Sequence, residues 1–402
     1  MTPSSAPRRR GRLARWLWPG TGISGWLLVV FVGQLVLALA GAFVIRSLFR
    51  EVPDDSILGQ LFGILSLQFL PGLARPFVVL LVGLGIVGFG MRRLMGVLLE
   101  PFPNRTAPLV ELVYQKRSLA RGPRIVAIGG GTGLSTLLRG LKTATSNITA
   151  VVTVADDGGS SGKLREELGI APVGDIRNCI VALADAEPTM TELLQYRFPP
   201  DRAGEGGLAG HAFGNLLIAA LLEIAGDFEE GVRLSNRVLA VRGQVVPVAP
   251  VPLTLSAELA DGTQLEGQSR IMRARGVRRV WISPAAVEAS VDAVEAIREA
   301  DLIVMGPGSL YTSLLPSLLV PGIRSALATA TGLRVYVCNV ATQPGETEGY
   351  TLSEHLAALN AHGVGSVIDV VLANGNLRAR QPDDYPAAPV RIDVTARSEE
   401  HT

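Results

Sequence analysis

The order of apolar and polar positions divides the chain into an apolar amino-terminal part and a longer part of alternating strand-like and helix-like segments. Residues 23–45 carry no charged side chain, and a helix of this length can cross a hydrocarbon core of roughly 30 Å. A second apolar stretch covers about 74–95, where arginines near its ends can extend their charged groups to the membrane surface. The pattern therefore predicts a membrane region at 23–98 with two transmembrane helices.

Arginines on both sides of this region predict its orientation. The basic segment 1–22 contains five arginines and no acidic residue, and Arg92 and Arg93 lie at the end of the second predicted span. Because basic flanks stay on the cytoplasmic side, both flanks are expected in the cytoplasm, as in a multi-pass protein of the cell membrane. A cleaved signal peptide is the alternative for residues 23–45, although this stretch is longer than the apolar core of such signals.

Composition changes after the membrane region. Residues 99–122 contain several prolines and basic side chains and predict a linker, residues 123–395 predict one folded domain, and residues 396–402 form a tail. The net charge of +1 gives no reason to expect nucleic acid as a partner, and two cysteines are too few for a disulfide framework. We therefore expect the folded domain to lie in a reducing compartment.

Within the folded domain, short apolar runs alternate with segments of helical spacing. Residues 134–141 have helical spacing, and residues 253–268 indicate a β-hairpin with Asp261 and Gly262 at its turn. The strand-like runs are residues 124–128, 148–154, 301–305 and 333–340. This alternation predicts βαβ units, and hence an α/β domain with a mostly parallel sheet and a small antiparallel insert.

Each predicted parallel strand is followed by a distinctive loop. The loops are GGGTG at 129–133, ADDGGSSG at 155–162, GPGSLYT at 306–312 and ATQPGET at 341–347. Loops after the carboxyl ends of parallel strands collect at one edge of a sheet, where ligands bind. We therefore expect the four loops to converge on one cleft.

The glycines of the first loop lie between a strand and a helix, where backbone N–H groups and the helix dipole can attract an anion. Their spacing does not match the dinucleotide-binding fingerprint, which disfavours an NAD-dependent redox enzyme. The second loop fails the Walker A pattern, because Asp157 replaces the first glycine and Leu164 replaces the hydroxyl residue. A tight turn without a ligand is the alternative for the first loop.

Two adjacent carboxylates, Asp156 and Asp157, follow the second strand. Asp156 lies where nucleotide-binding sheets place an acid on ribose hydroxyls, and the two together could instead hold Mg²⁺ through water. An Asx-type turn is the structural alternative.

Two further motifs place polar side chains at predicted helix starts. PVGDIRN supplies Asp175 and Asn178, and GHAFGN places His211 and Asn215 one helical turn apart. Asp175 also fits a helix N-cap, and a lone histidine is more often structural than catalytic.

The loop GPGSLYT offers hydroxyl groups and an aromatic ring behind a strand. Ser309 and Thr312 can donate hydrogen bonds, and Tyr311 can stack on a ligand or cap a helix. An ordinary N-capped helix is the alternative for this loop.

Six motifs occur in an order that resembles the YvcK family of bacterial proteins, often labelled gluconeogenesis factors, in the superfamily of the 2-phospho-L-lactate transferase CofD. They are GGGTGLSTLLRGLK, VTVADDGGSSGKLR, PVGDIRNCIVALAD, LAGHAFGNLLIAAL, GPGSLYTS and CNVATQPGETEGYT. The resemblance covers roughly residues 124–374, whereas the amino-terminal 120 residues lie outside it and the usual soluble members lack such an anchor.

The resemblance implies a Rossmann-like three-layer α/β/α domain that binds uracil-linked nucleotide sugars such as UDP-N-acetylglucosamine. It also implies a regulatory role in cell shape, peptidoglycan precursor supply or central carbon flow. The expected partners are the nucleotide sugar, the membrane, a second copy of the chain and cell-wall synthesis proteins.

The transferase relatives suggest an alternative function for the same cleft, which in those proteins holds a guanine nucleotide, Mg²⁺ and a deazaflavin acceptor. The alternative is a Mg²⁺-dependent 2-phospho-L-lactate transferase in which Asp156 and Asp157 are catalytic and Asp157 binds the metal. GGSSG and GHAFGN follow the YvcK pattern instead, which weighs against this transferase activity.

Carried over to this sequence, the resemblance implies a set of residues that bind the nucleotide or the sugar. They are Gly130, Gly131, Thr132, Gly133, Asp175, Asn178, His211, Asn215, Gly308, Ser309, Tyr311 and Thr312. The glycines would approach the ligand with their backbone, whereas Ser309, Tyr311 and Thr312 would hold the diphosphate or the sugar.

Overall fold

The computed structural model describes residues 116–185, 187–199, 208–376 and 387–393, together with single residues between 31 and 89. The chain divides into two compact units, Met1–Arg117 and Ser118–Thr402. No helix among the described residues has both the length and the apolar character that a membrane crossing requires. The predicted spans at 23–45 and 74–95 lie almost entirely outside the described residues. Also outside them are the basic segment 1–22, the linker up to residue 115 and the tail 396–402.

The strands of the second unit form two sheets. The described strands are β1 (Ile125–Gly129), β2 (Ile148–Val152), β3 (Gln244–Pro247), β4 (Thr254–Leu259), β5 (Gln264–Glu266), β6 (Val277–Ser283), β7 (Leu302–Met305), β8 (Leu333–Val337) and β9 (Val370–Leu372). The larger sheet has six strands in the order β3-β2-β1-β7-β8-β9, and every neighbouring pair is parallel. The smaller sheet is antiparallel, in the order β5-β4-β6. The predicted fold class of a parallel sheet with an antiparallel insert is confirmed.

The helices connect these strands. The described helices are α1 (Gly131–Leu141), α2 (Gly159–Leu168), α3 (Gly174–Leu183), α4 (Glu187–Gln195), α5 (Phe213–Ala225), α6 (Phe228–Val238), α7 (Gln268–Ile271), α8 (Val291–Glu299), α9 (Leu315–Leu318), α10 (Pro321–Thr329) and α11 (Leu352–Ala361). A π-helical turn, Leu310–Leu314, precedes α9. Helix α1 packs against α3, and α8 packs against α10. From β1 the chain adds strands towards one edge of the sheet, and from β7 it adds them towards the other edge. Because crossovers between parallel strands are right-handed, the helices that follow β1 and those that follow β7 belong on opposite faces of the sheet.

The apolar positions of the strands and helices are the positions that the core buries. Every residue of β1 is buried, and such continuous apolar strands are typical of parallel sheets covered on both faces. In α1, Leu134 and Leu138 lie one turn apart and are fully buried, whereas Thr132 and Thr136 are exposed. The alternation of β1, α1 and β2 therefore follows directly from where each segment buries its apolar side chains.

The strand order also locates the ligand-binding edge. The order of the parallel strands is that of a doubly wound nucleotide-binding sheet. In such a sheet the strands are added in one direction from β1 and in the opposite direction from β7. The loops after these two strands diverge at the carboxyl edge and leave a crevice between them. The predicted strands at 124–128, 148–154, 301–305 and 333–340 correspond to β1, β2, β7 and β8.

Candidate functional site

A cavity of about 700 Å³, the cleft, opens at the point where the sheet reverses direction. The residues that line it come from the loops after β1, β7 and β8, together with Met272 of the insert and Ala387. The lining residues are Gly130, Gly131, Thr132, Gly133, Met272, Gly308, Ser309, Ser313, Asn339, Val340, Ala341, Thr342, Gln343, Pro344 and Ala387. Three of the four predicted loops therefore meet directly at the cleft.

A second cavity of about 700 Å³ lies at the opposite edge, beside the amino ends of β1, β2 and β3. Four of its charged side chains are already paired, since Arg233 lies 2.7 Å from Asp292 and Arg124 lies 3.2 Å from Glu299. Ligands of open parallel sheets bind at the carboxyl ends of the strands. The cleft is therefore the better candidate site.

The amino terminus of α1 faces the cleft, and its N-cap residue has no side chain to cap the helix. Gly130 is the N-cap residue and makes no side-chain hydrogen bond, and the first turn contains no acidic residue. Gly131 adopts a φ of +64°, and a Cβ built on it would meet only Ser313 Oγ, at 3.7 Å. Thr132 is exposed. The N–H of Gly131 donates to Asp175, and the other backbone N–H groups of this helix end are accessible to an anion in the cleft.

Gly133 lies where the two diverging loops touch. A Cβ on Gly133 would lie 2.6 Å from the carbonyl oxygen of Pro307 and 2.9 Å from Cα of Gly308. These are backbone atoms, which cannot rotate away as a side chain can. A glycine at this position therefore permits the close approach of α1 to the loop after β7.

The loops after β7 and β8 are joined into one wall by side-chain amides. Asn339 accepts a hydrogen bond from the backbone N–H of Gly308 at 2.9 Å and donates one to the carbonyl of Gly308 at 2.8 Å. Ser309 donates its hydroxyl to Gln343 at 2.7 Å, and Gln343 in turn donates to Glu346. The two loops therefore share a continuous hydrogen-bond network.

The buried carboxylate of Glu346 holds the π-helical turn that follows Ser309. It accepts hydrogen bonds from the backbone N–H of Tyr311 and from the hydroxyl of Thr312. Burial raises the pKa of Glu346, and these two donors oppose that rise. A single π-helical turn is a frequent feature of functional sites, and here it replaces the N-capped α-helix that the sequence allowed.

The structure places the side chains of Tyr311 and Thr312 inside the domain, not at the cleft surface. Tyr311 is only 2% exposed, and its hydroxyl lies 3.1 Å from that of Tyr350. Thr312 is fully buried against Glu346. The π-helical turn directs both side chains into the core, so neither is positioned to hold a diphosphate or sugar as predicted. Gly308 and Ser309, in contrast, do line the cleft.

Asp175 and Asp156 form an acidic pair beside α1. Asp175 accepts a hydrogen bond from the N–H of Gly131, and a Cβ on Gly130 would lie 2.5 Å from its carboxylate. Burial raises the pKa of Asp175 to about 7, and the nearby carboxylate of Asp156 adds to the rise. Asp156 itself accepts from the N–H of Gly158 at 2.9 Å, as in an Asx turn, and burial also raises its pKa. Asp156 of the loop after β2 is thus linked to the cleft indirectly, through Asp175 of α3, which lies against Gly130 and Gly131.

Asp157 faces the antiparallel insert. Its carboxylate accepts a hydrogen bond from the N–H of Ser269 at 2.7 Å, in the first turn of α7, and its other oxygen lies beside Gly267. Within the described part of the chain, no three His, Cys, Asp or Glu side chains gather in a group that could hold a metal ion. These contacts indicate that Asp157 anchors the insert to the loop after β2, and its role as a Mg²⁺ ligand stays a prediction.

The predicted residues Asn178, His211 and Asn215 meet one another behind the cleft. His211 is buried with Nδ1 at 3.3 Å from Ser160 Oγ, and Asn215 donates to the same hydroxyl at 3.0 Å. The guanidinium of the buried Arg177 donates to Asn215 at 2.9 Å and to Asn178 at 3.0 Å. This network fixes the amino-terminal parts of α2 and α3 relative to α5, and thereby the helix that carries Asp175.

Sequence reasoning missed four residues that shape the cleft: Asn339, Gln343, Glu346 and Met272. Three of them lie in the motif CNVATQPGETEGYT, where amide and carboxylate side chains directly after a strand were the available signal. Nothing in the sequence near Met272 indicates its position, because the insert returns to the cleft only through tertiary packing.

Known proteins resemble this chain in sequence and in structure. A family model described as "2-phospho-L-lactate transferase CofD" matches residues 125–402. The gluconeogenesis factor of Bacillus subtilis (strain 168) is 49% identical over 281 residues, which are 69% of this chain and 87% of that protein. A crystal structure of a protein from Bacillus halodurans is 48% identical, covers 68% of this chain and 88% of that chain, and superposes with a TM-score of 0.63.

One relative extends the similarity beyond the folded domain. A protein of Nostoc sp. (strain PCC 7120) is 47% identical over 395 residues, which are 95% of this chain and 85% of that protein. This alignment must include most of the amino-terminal region, which corrects the expectation that the resemblance begins near residue 124. On these similarities, the chain belongs to the CofD family and groups with its relatives named gluconeogenesis factors (YvcK).

Proposed function

We propose that this protein binds a nucleoside diphosphate sugar of the UDP-N-acetylglucosamine type in the cleft and acts as a sensor of that ligand. The observation that carries the proposal is the amino terminus of α1, whose N-cap residue Gly130 has no side chain and which opens into a cavity of about 700 Å³ at the reversal point of the sheet. Apart from the N–H of Gly131, which donates to Asp175, the N–H groups of such a helix terminus attract phosphate together with the helix dipole. The sensor would regulate cell shape, peptidoglycan precursor supply or central carbon flow.

The size and lining of the cleft support a ligand with both anionic and apolar parts. Cavities that bind small molecules have volumes of roughly 300–1,000 Å³ and combine apolar walls with a few placed polar groups. The cleft has glycine backbone and hydroxyl groups on one side and Met272 and Val340 on another. A diphosphate at α1 and the remainder of the nucleotide sugar along the wall after β8 would use both parts.

Replacement of Thr132 tests where the diphosphate binds. Thr132→Glu places a carboxylate in the first turn of α1, where it repels a bound anion but stabilises the helix dipole by about 0.3–1 kcal/mol. We expect the affinity for UDP-N-acetylglucosamine to fall by about tenfold, because like charges in contact oppose binding, while thermal stability is unchanged or higher. Isothermal titration calorimetry at low salt, together with thermal denaturation of the full chain, measures both effects.

Thr132→Gln is the matched control, since glutamine has the size of glutamate without its charge. This variant should bind the nucleotide sugar with nearly the wild-type affinity. Equal affinities of the Glu and Gln variants would show that the phosphates are not at α1. Failure of the wild-type chain to bind any UDP-sugar would contradict the sensor proposal itself.

A transferase is the second candidate function, and the match to the CofD family model favours it. In such a reaction a nucleotide-activated phosphoryl-lactate group would pass to an alcohol of a deazaflavin-type acceptor, and a nucleoside monophosphate would leave. The carboxylate of Asp157 accepts a hydrogen bond from the N–H of Ser269, and binding of Mg²⁺ by this residue in the reaction stays a prediction. Release of nucleoside monophosphate in a Mg²⁺-containing assay with the acceptor would favour this candidate over a sensor.

The proposed location is the cell membrane, with the folded domain in the cytoplasm. The proposal rests on two apolar stretches. Residues 23–45 carry no charged side chain, and residues 74–95 have arginines only near their ends. Reporter fusions after Asp54 and after Pro101 are expected to show the first position outside and the second in the cytoplasm. A periplasmic signal at Pro101 would overturn this orientation. A second copy of the chain and cell-wall synthesis proteins are the proposed protein partners.

A further inference from the structure

We propose that the side chains of Met272 and Val340 form an apolar slot that holds the flat ring of the nucleobase. This inference rests on the proposed function, since it names the part of the cleft that contacts the base. Both side chains line the cleft, yet Met272 is 43% exposed and Val340 is 58% exposed. Apolar side chains left open to water inside a concave site are typical of surfaces that a ligand covers.

The position of Met272 is fixed by contacts that bind the insert to the loops of the parallel sheet. Gln268 donates its side-chain amide to the carbonyl of Thr312 at 2.7 Å, which joins α7 to the π-helical turn. A Cβ on Gly345 would lie 2.8 Å from the carbonyl oxygen of Ala274 and 3.1 Å from that of Met272. The segment that carries Met272 is therefore packed against the loop after β8, the loop that also carries Val340.

Two polar side chains near Val340, those of Asn339 and Gln343, are occupied within the wall. Asn339 uses its amide on both backbone groups of Gly308, and Gln343 bonds to Ser309 and Glu346. The backbone N–H of Thr342 donates to the carbonyl of Ala388 at 2.8 Å. These groups hold the wall in shape, and the exposed side chains of Met272 and Val340 are available for contact with a ring.

The chemistry of the two side chains suits a ring. The thioether of methionine is polarisable and makes favourable contacts with aromatic groups, and a branched aliphatic side chain offers a flat apolar surface. The anion-attracting end of the cleft at α1 would then bind the diphosphate, and the slot would bind the base. The division assigns each chemical part of the ligand to its own set of residues.

The experiment compares the binding of UDP with that of inorganic diphosphate, using the full chain and isothermal titration calorimetry. Met272→Ala is expected to weaken UDP binding by about five- to tenfold, and Val340→Ala by about threefold, because each removes apolar contact with the ring. Neither should change the affinity for inorganic diphosphate. Met272→Leu should bind UDP nearly as wild type, and Val238→Ala, at an exposed position of α6, serves as a control.

The possible outcomes distinguish a failure of the slot from a failure of the proposed function. If the wild-type chain binds UDP and both alanine variants bind it equally well, the slot is overturned and the proposed function stands. An equal loss of UDP and diphosphate binding in Met272→Ala would also overturn the slot, because the damage would not be confined to the base. If the wild-type chain binds neither probe, the proposed function fails and the slot fails with it.

Discussion

Gly133→Ala is expected to lower the free energy of unfolding of the domain by about 2–3 kcal/mol, which is typical of a side chain forced into a closely packed site. The added Cβ would lie 2.6 Å from the carbonyl oxygen of Pro307, so α1 and the loop after β7 must separate. The same separation would widen the cleft and weaken the proposed nucleotide binding. Urea denaturation of the full chain measures the change in stability, and calorimetric titration measures the change in binding.

Gly140→Ala is the matched control, because Gly140 lies in the same helix with no heavy atom within 4 Å of an added Cβ. It should raise the free energy of unfolding by about 0.5–1 kcal/mol, since alanine favours helix more than glycine does. If Gly133→Ala unfolded at the same urea concentration as the wild type, the close contact between α1 and the loop after β7 would not exist in solution.

Asp175→Asn is expected to stabilise the protein above neutral pH. Burial and the carboxylate of Asp156 raise the pKa of Asp175 from 3.8 to about 7, so the ionised form is disfavoured in the fold. A shift of this size corresponds to at most about 4 kcal/mol, and coupling to Asp156 shares it between two groups. We therefore expect the variant to be more stable at pH 8 by about 2 kcal/mol, which raises the Tm by about 4–8 °C.

The sign of the pH dependence follows from the direction of the shift. Because the pKa of Asp175 is higher in the folded chain, the fold binds the additional proton between about pH 4 and pH 7. The contribution of the protonated group is complete below about pH 4 and is lost as the pH rises through about 7. The stabilisation by Asp175→Asn should therefore be small at about pH 4.5, grow towards about pH 7 and stay constant above it.

Asp261→Asn provides a control of opposite sign, because hydrogen bonds from Thr263 lower the pKa of the exposed Asp261. This variant should not gain stability as the pH rises. Equal Tm values for Asp175→Asn and the wild type at pH 8 would mean that the carboxylate of Asp175 is solvated or neutralised in solution. A destabilising ionised group beside a ligand cavity is a common feature of functional sites.

The parallel sheet and its loops were predictable because each rests on a local pattern. The strands β1 and β2 are continuous apolar runs, and the loops that follow them contain glycine and polar residues. The hairpin of β4 and β5 was predictable from Asp261 and Gly262, and Gly262 indeed adopts a φ of +84°. The edge strands β3 and β9 have only four and three residues, too short for a periodic signal.

The roles of individual polar residues were less predictable, because their partners are distant in sequence. Asp157 looks like a metal ligand beside Asp156, yet its partner is the N–H of Ser269, 112 residues later. Tyr311 looks like a ligand-stacking ring, yet its hydroxyl contacts Tyr350, and no local pattern connects these two tyrosines. Adjacent motifs can predict that a cleft exists, but tertiary contacts decide which side chains face it.

The pairing of β1 with β7 has a consequence for the survival of the protein in the cell. It joins segments that are far apart along the chain, as the hydrogen bond from Arg124 N–H to Asp301, 177 residues later, illustrates. One wall of the cleft belongs to the β1 side of this pair and the other wall to the side of β7 and β8. If the proposed ligand binds between the walls, it opposes their separation, and its supply then governs how often the domain opens to proteases.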